Sequence, residues 1–144
     1  MAAPAQALCP SADPQSEGAA VFAVMGGTPL QARASYLTHA LPWNDALQAL
    51  AGPVNPAEVF RVAAPCATEA CLHFDGSAQA CRLARKTVQW APVVVEQLPR
   101  CAIRAGCQWW QQEGAAACRR CPQVVTLNPS ASAAMRRAAD PEVV

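Results

Sequence analysis

Eight cysteines in 144 residues, seven of them between Cys66 and Cys121, constrain this chain more than any other feature. The segment that holds them is otherwise poor in the large aliphatic side chains that fill a core. Its fold therefore needs support beyond hydrophobic burial, and a thiolate metal centre supplies it, because binding free energy at such a centre is also folding free energy. Cysteine at 8 of 144 residues is below the density of small secreted scaffolds stapled by disulfides.

Compartment decides which cysteine chemistry applies, since disulfides persist in oxidising surroundings and thiolate metal sites in reducing ones. Met1 to Pro10 has neither a basic n-region nor an unbroken apolar h-region, so a secretory signal is not expected, and lipid attachment at Cys9 fails for the same reason. No stretch approaches the ~18 apolar residues of a membrane span. The expectation is a cytoplasmic protein with no membrane association. Its hydrophobic content of 53% is inflated by alanine and cysteine. A net charge of +1 argues against nucleic acid as the main partner, because such binding relies on a strong positive field. Of the 11 basic residues all but Lys86 are Arg, a bias that points to a bacterium with a GC-rich genome.

The expected fold class is α+β: a small irregular single domain with a short N-terminal β-hairpin and short helices organised around a cysteine-ligated metal site. Residues 1–18 lack periodicity and read as a mobile arm carrying Cys9. Residues 19–129 form the cysteine-rich metal-binding domain, and residues 130–144, small and alanine-rich, a flexible tail that includes Arg136 and Arg137. Val21–Met25, closed by a turn at Gly26-Gly27, pairs with a second strand at Ala34–Thr38 beyond Pro29. Asn44 caps a helix over Asp45–Leu50 that Gly52-Pro53 stops. Pro56 opens another turn, with 57–62 leading to Cys66. Arg82–Trp90 has helical spacing, with Leu83 and Trp90 as core positions and Pro92 as its stop. His39, in a strand, reads as structural.

Two segments read alike. Each of Cys66-x4-Cys71-Leu-His73-Phe74-Asp75-Gly76-x4-Cys81-Arg82 and Cys101-x5-Cys107-Gln-Trp109-Trp110-x2-Glu113-Gly114-x3-Cys118-Arg119 has a cysteine pair, two ring-bearing residues, an acidic-Gly turn and a Cys-Arg. The second half also has Cys121, which completes four thiolates, the number a tetrahedral zinc or an iron–sulfur cluster requires. Only Cys118 and Cys121 form the short C-x2-C turn that aims two sulfurs at one ion. The wider spacing of Cys101 and Cys107 suits a larger object, and Pro122 after the last cysteine matches the ending of bacterial ferredoxin motifs. An iron–sulfur cluster, [4Fe–4S] or [2Fe–2S], is the favoured cofactor, with zinc as the alternative. The first half, Cys66, Cys71 and Cys81, lacks one thiolate. Cys9 brings the total to eight, but ordering a long arm costs conformational entropy, so a free thiol there is the plainer reading. His73 is a further candidate, since Cys71-Leu72-His73 is half of a Rieske-type C-x-H pattern, although the other half is missing.

Cys107-x10-Cys118-x2-Cys121-Pro122 resembles the C-terminal cysteine motif of ferric-siderophore-reductase-type iron–sulfur proteins, which bind a [2Fe–2S] cluster through C-C-x10-C-x2-C. The resemblance covers about 20 residues and carries over Cys107, Cys118 and Cys121. The adjacent pair of that family is replaced here by Gly106-Cys107, with Cys101 the nearest cysteine upstream. What it implies is an iron–sulfur cluster more than siderophore reduction.

Arg100, Arg104, Arg119 and Arg120, with Trp109 and Trp110, surround this second half-site in sequence. Guanidinium groups near an anionic cluster ease its reduction, and the indoles would limit water at the sulfurs. The expected function is an electron carrier or the redox subunit of a partner enzyme, with no catalytic residues of its own and a redox protein as partner. The alternative is a non-enzymatic interaction module held folded by zinc or a cluster, and the third a ferric-siderophore-reductase-like protein. No H-E-x-x-H, G-x-S-x-G or glycine-rich phosphate loop is present.

Overall fold

The computed structural model describes residues 7–28, 31–124 and 131–143. The chain opens with β1 (Leu8–Ala12), followed by the long strands β2 (Ala20–Thr28) and β3 (Gln31–Pro42). The expected hairpin is there as the antiparallel β2–β3 pair, but longer than read from the sequence. Gly26 and Gly27 continue β2 opposite Arg33 and Ala32, so the turn expected there is absent, and Pro29 lies outside the described residues. Asn44 then accepts the Leu47 amide at 3.0 Å and starts α1 (Asp45–Ala51), which Gly52 ends. Asn55 caps the short α2 (Pro56–Val59), whose first residue is the proline tolerated at that position.

The sheet is completed by β4 (Phe60–Pro65), giving the order β1-β4-β2-β3 with every neighbour antiparallel. Neither β1 nor β4 was expected as a strand. Pro10 interrupts the first, and the second is buried on both faces, so its sequence lacks the polar alternation that marks a half-exposed strand. The correction matters for Cys9, which is held in β1 opposite Ala64 and not on a mobile arm. Residues 1–6 lie outside the described residues.

Alternation along β4 separates two layers. Phe60, Val62 and Ala64 pack with Val21, Leu47 and Ala51 under α1 and α2. Ala63 packs with Phe22 on the opposite side, against the cysteine-bearing half of the chain. That half comprises a 3-10 turn at Thr68–Ala70, the small β5 (Phe74–Asp75)–β6 (Ala80–Cys81) hairpin and α3 (Arg82–Trp90). A 3-10 turn at Arg104–Gly106, α4 (Gln108–Glu113) and α5 (Ala115–Cys118) follow, with a last 3-10 turn at Cys121–Gln123. The fold is thus a small mixed α+β domain with a four-stranded antiparallel sheet and short helices.

The C-terminal segment is not a featureless tail where it is described. Ser132 caps α6 (Ala133–Ala139), which buries Met135 and Ala138, and Arg137 lies 4.3 Å over the Trp90 ring. Trp90 is accordingly half-buried against a guanidinium, whereas Leu83 is in the core as expected. Residues 125–130 and 144 lie outside the described residues.

Candidate metal centre

None of the eight cysteines is bridged to another. They fall into two sets of four. Cys101, Cys107, Cys118 and Cys121 line one narrow cavity, with room of about 20 Å³. Cys9, Cys66, Cys71 and Cys81 line a second and roomier one of about 260 Å³. Trp109 belongs to the walls of both. Among the described residues no three His, Cys, Asp or Glu side chains meet closely enough to hold a single metal ion.

Local structure explains how each sulfur reaches its place. In both halves a cysteine is followed by a 3-10 turn whose last residue leads into a second cysteine: Cys66 to Cys71 around Thr68–Ala70, and Cys101 to Cys107 around Arg104–Gly106. The sequence repeat holds to this point and fails beyond it. His73 and Phe74 run into the β5–β6 hairpin, whereas Trp109 and Trp110 enter α4. Gly114 takes φ 68° and ψ −149°, a region almost closed to other residues, so the chain turns sharply from α4 into α5, which ends on Cys118. Cys81 caps α3, accepting the Ala84 amide at 3.4 Å. Gln112 ties it to α4 by two hydrogen bonds, accepting the Cys81 N–H at 2.7 Å and donating to its carbonyl at 2.9 Å.

Electrostatics respect the same division. Burial pushes the Cys107 thiol up to about 11, with Cys121 and Cys101 adding to the rise. Burial also raises Cys101 and Cys118. At Cys118 the Arg104 guanidinium beside it works the other way. Cys9 is pushed up to about 12, again by burial first, then by Cys81, Cys66 and Cys71. A bound cation inverts this balance, since a coordinating thiol gives up its proton.

The first cavity is rich in donors. Arg61, buried with no exposed surface, donates from Nη2 to Cys121 Sγ at 3.2 Å and to the Pro10 carbonyl at 2.9 Å, and from Nη1 to the Cys121 carbonyl. Its guanidinium lies 5.5 Å from the Phe22 ring centroid. Among the described residues the one carboxylate ion pair is Arg85 with Asp75, so Arg61 has no acidic partner there. Arg104 lines the same cavity and rests 5.5 Å from the half-buried Trp110 ring. Arg104 Nε and Trp109 Nε1 are buried with no hydrogen-bond partner among the described residues.

Of the arginines expected around the site, only Arg104 lies at it. Arg119 donates to the Glu96 carbonyl, Arg120 to those of Ala91 and Ala116, and Arg100 is exposed. Arg119 and Arg120 follow Cys118 directly, but the chain leaving α5 turns them toward the 91–96 loop. Arg61 takes the place expected of them. Its signal in the sequence is a lone charge inside the apolar run Val59–Ala64, which strand alternation aims at the cysteine side. His73 lines neither cavity, and burial and the Lys86 ammonium lower its imidazole pKa.

No family model, curated protein or solved structure matches the chain.

Proposed function

We propose that this chain is an iron–sulfur protein that carries electrons for a partner enzyme, with a cluster held by Cys101, Cys107, Cys118 and Cys121. The observation that carries the reading is the convergence of these four cysteines on one cavity. A tetrahedral zinc needs its four sulfurs about 2.3 Å from a single point. Sulfurs spread around a space would suit a polynuclear cluster, in which four thiolates are shared among several irons.

The donors fit an anionic group. A buried guanidinium without a carboxylate is costly unless an anion meets it, and a cluster ligated through Cys121 would place that anion within 3.2 Å of Arg61 Nη2. Arg104 Nε and Trp109 Nε1 are unsatisfied donors on residues of the cavity wall, where bridging sulfides would accept them. A bound cluster supplies reversible one-electron chemistry. The residues around it hold it, screen it from water and, through Arg61 and Arg104, stabilise the added negative charge. Cys101 and Cys118 are half-buried, which leaves one edge of the site near the surface for exchange with a redox partner.

Anaerobic purification or reconstitution with iron and sulfide should give a brown protein with absorption near roughly 400 nm that bleaches reversibly on reduction. Cys118→Ser and Cys121→Ser should remove the share of that absorption that belongs to this cluster. A colourless protein with stoichiometric zinc, or a cluster that cannot be reduced reversibly, would overturn the reading.

A further inference from the structure

Cys9 is carried to the second set of cysteines by the sheet. The β1–β4 register sets Leu8 opposite Pro65 and Cys9 opposite Ala64, and the Cys66 amide donates to the Ala7 carbonyl at 2.8 Å. Cys9 and Cys66 therefore stand at the same end of two paired strands. Cys81 is fixed by Gln112 and by its own cap on α3, and Cys71 Sγ accepts the His73 amide at 3.4 Å. The entropic objection to Cys9 as a ligand disappears, because its strand is already ordered by pairing.

We propose that Cys9, Cys66, Cys71 and Cys81 hold a second iron–sulfur cluster, separated from the first by the Trp109 side chain, and that electrons pass from this site to the Cys101 site. The proposal rests on the iron–sulfur reading of the first site. Its evidence is the second four-cysteine cavity and Trp109, which belongs to the walls of both.

The direction follows from charge. Among the described residues no Lys, Arg or His lines the second cavity, whereas Arg104 lines the first and Arg61 donates to one of its sulfurs. The cation that acts on Cys81, Lys86, is held on the Asp140 and Val143 carbonyls and touches no sulfur, so adding an electron to an anionic centre costs more at the second site, which has the lower potential. A low-potential one-electron donor, such as a reduced ferredoxin-type protein or dithionite, reduces the Cys9 site by one electron. That electron then passes across Trp109, reoxidising the Cys9 site and reducing the Cys101 site, with no proton or bond exchanged. With both sites filled the chain holds two electrons.

The test is iron and acid-labile sulfide per chain after anaerobic reconstitution, in the wild type and in Cys9→Ser, Cys71→Ser and Cys118→Ser, with circular dichroism as the check on folding. Cys71 lies in a loop, so its variant remains informative if Cys9→Ser disturbs β1. Each variant is expected to bind about half the wild-type iron. Full iron in both Cys9→Ser and Cys71→Ser, with all iron lost in Cys118→Ser, would overturn the second site while leaving the first reading intact. Absence of iron and sulfide from the wild type would overturn both. In a potentiometric titration, the centre left in Cys118→Ser should reduce at lower potential than that left in Cys9→Ser, and the reverse order would refute the direction of transfer. Fully reduced wild type should show a spin-coupled electron paramagnetic resonance spectrum. A simple sum of the two single-site spectra would refute the contact through Trp109.

Discussion

Arg61 shows how one residue ties the sheet to the cysteines. Its fork joins Pro10 on β1 to Cys121 at the last 3-10 turn, which lies 60 residues from Arg61 in sequence. Arg61→Met keeps the apolar stem and removes the donors. Stranding the Pro10 and Cys121 acceptors should cost the metal-free protein about 1–3 kcal/mol. The loss should be larger in the cluster-loaded protein, where Cys121 is a thiolate. Chemical denaturation of both forms measures the difference. Arg61→Lys should recover only part of it, because an ammonium cannot reproduce a two-pronged contact. Equal losses with and without the cluster would assign Arg61 to the sheet alone.

At the scale of elements, α6 depends on α3. Lys86 is buried on α3 and donates from Nζ to the carbonyls of Asp140, at the end of α6, and Val143, the latter at 2.6 Å. Arg137 over Trp90 clamps the same pair of helices. Lys86→Met should lose the two charge-assisted hydrogen bonds, about 1.5–3 kcal/mol each, and release α6. Hydrogen exchange should accelerate across 133–139 while β4 keeps its protection. If exchange across 133–139 is unchanged, the burial of Met135 and Ala138 alone holds the helix.

The whole molecule has two supports of different kind. One face of the sheet is closed by an apolar cluster that includes Phe60, Val62, Val21 and Leu47 under α1 and α2. The other carries the cysteines, with Phe22, Trp109 and Ile103 in a core interrupted by two cavities. Stripping metal with a chelator should therefore loosen one side first. Backbone amides between 101 and 123 should lose protection against hydrogen exchange by at least tenfold, and those of β2 and α1 much less. Uniform loss would show that the two faces unfold as one unit.

Local signals carried much of the architecture. The Asn44 cap, the apolar run of β2 and the spacing of Arg82–Trp90 act within a few residues, so their elements stand where the sequence puts them. The grouping of Cys101, Cys107, Cys118 and Cys121 was equally legible, because short turns keep those residues near one another whatever the rest of the chain does. Cys9 and Arg61 were not legible. Nothing near Cys9 marks Leu8–Ala12 as a strand, and its place beside Cys66 exists only once β1 pairs with β4. Arg61 reaches Cys121 only because the sheet order buries β4 between two layers. Sequence by itself determined the number of cysteines and the local turns that present them. The tertiary structure decided which cysteines share a cavity and which cation faces them, because those contacts depend on strand pairing between residues far apart in the chain.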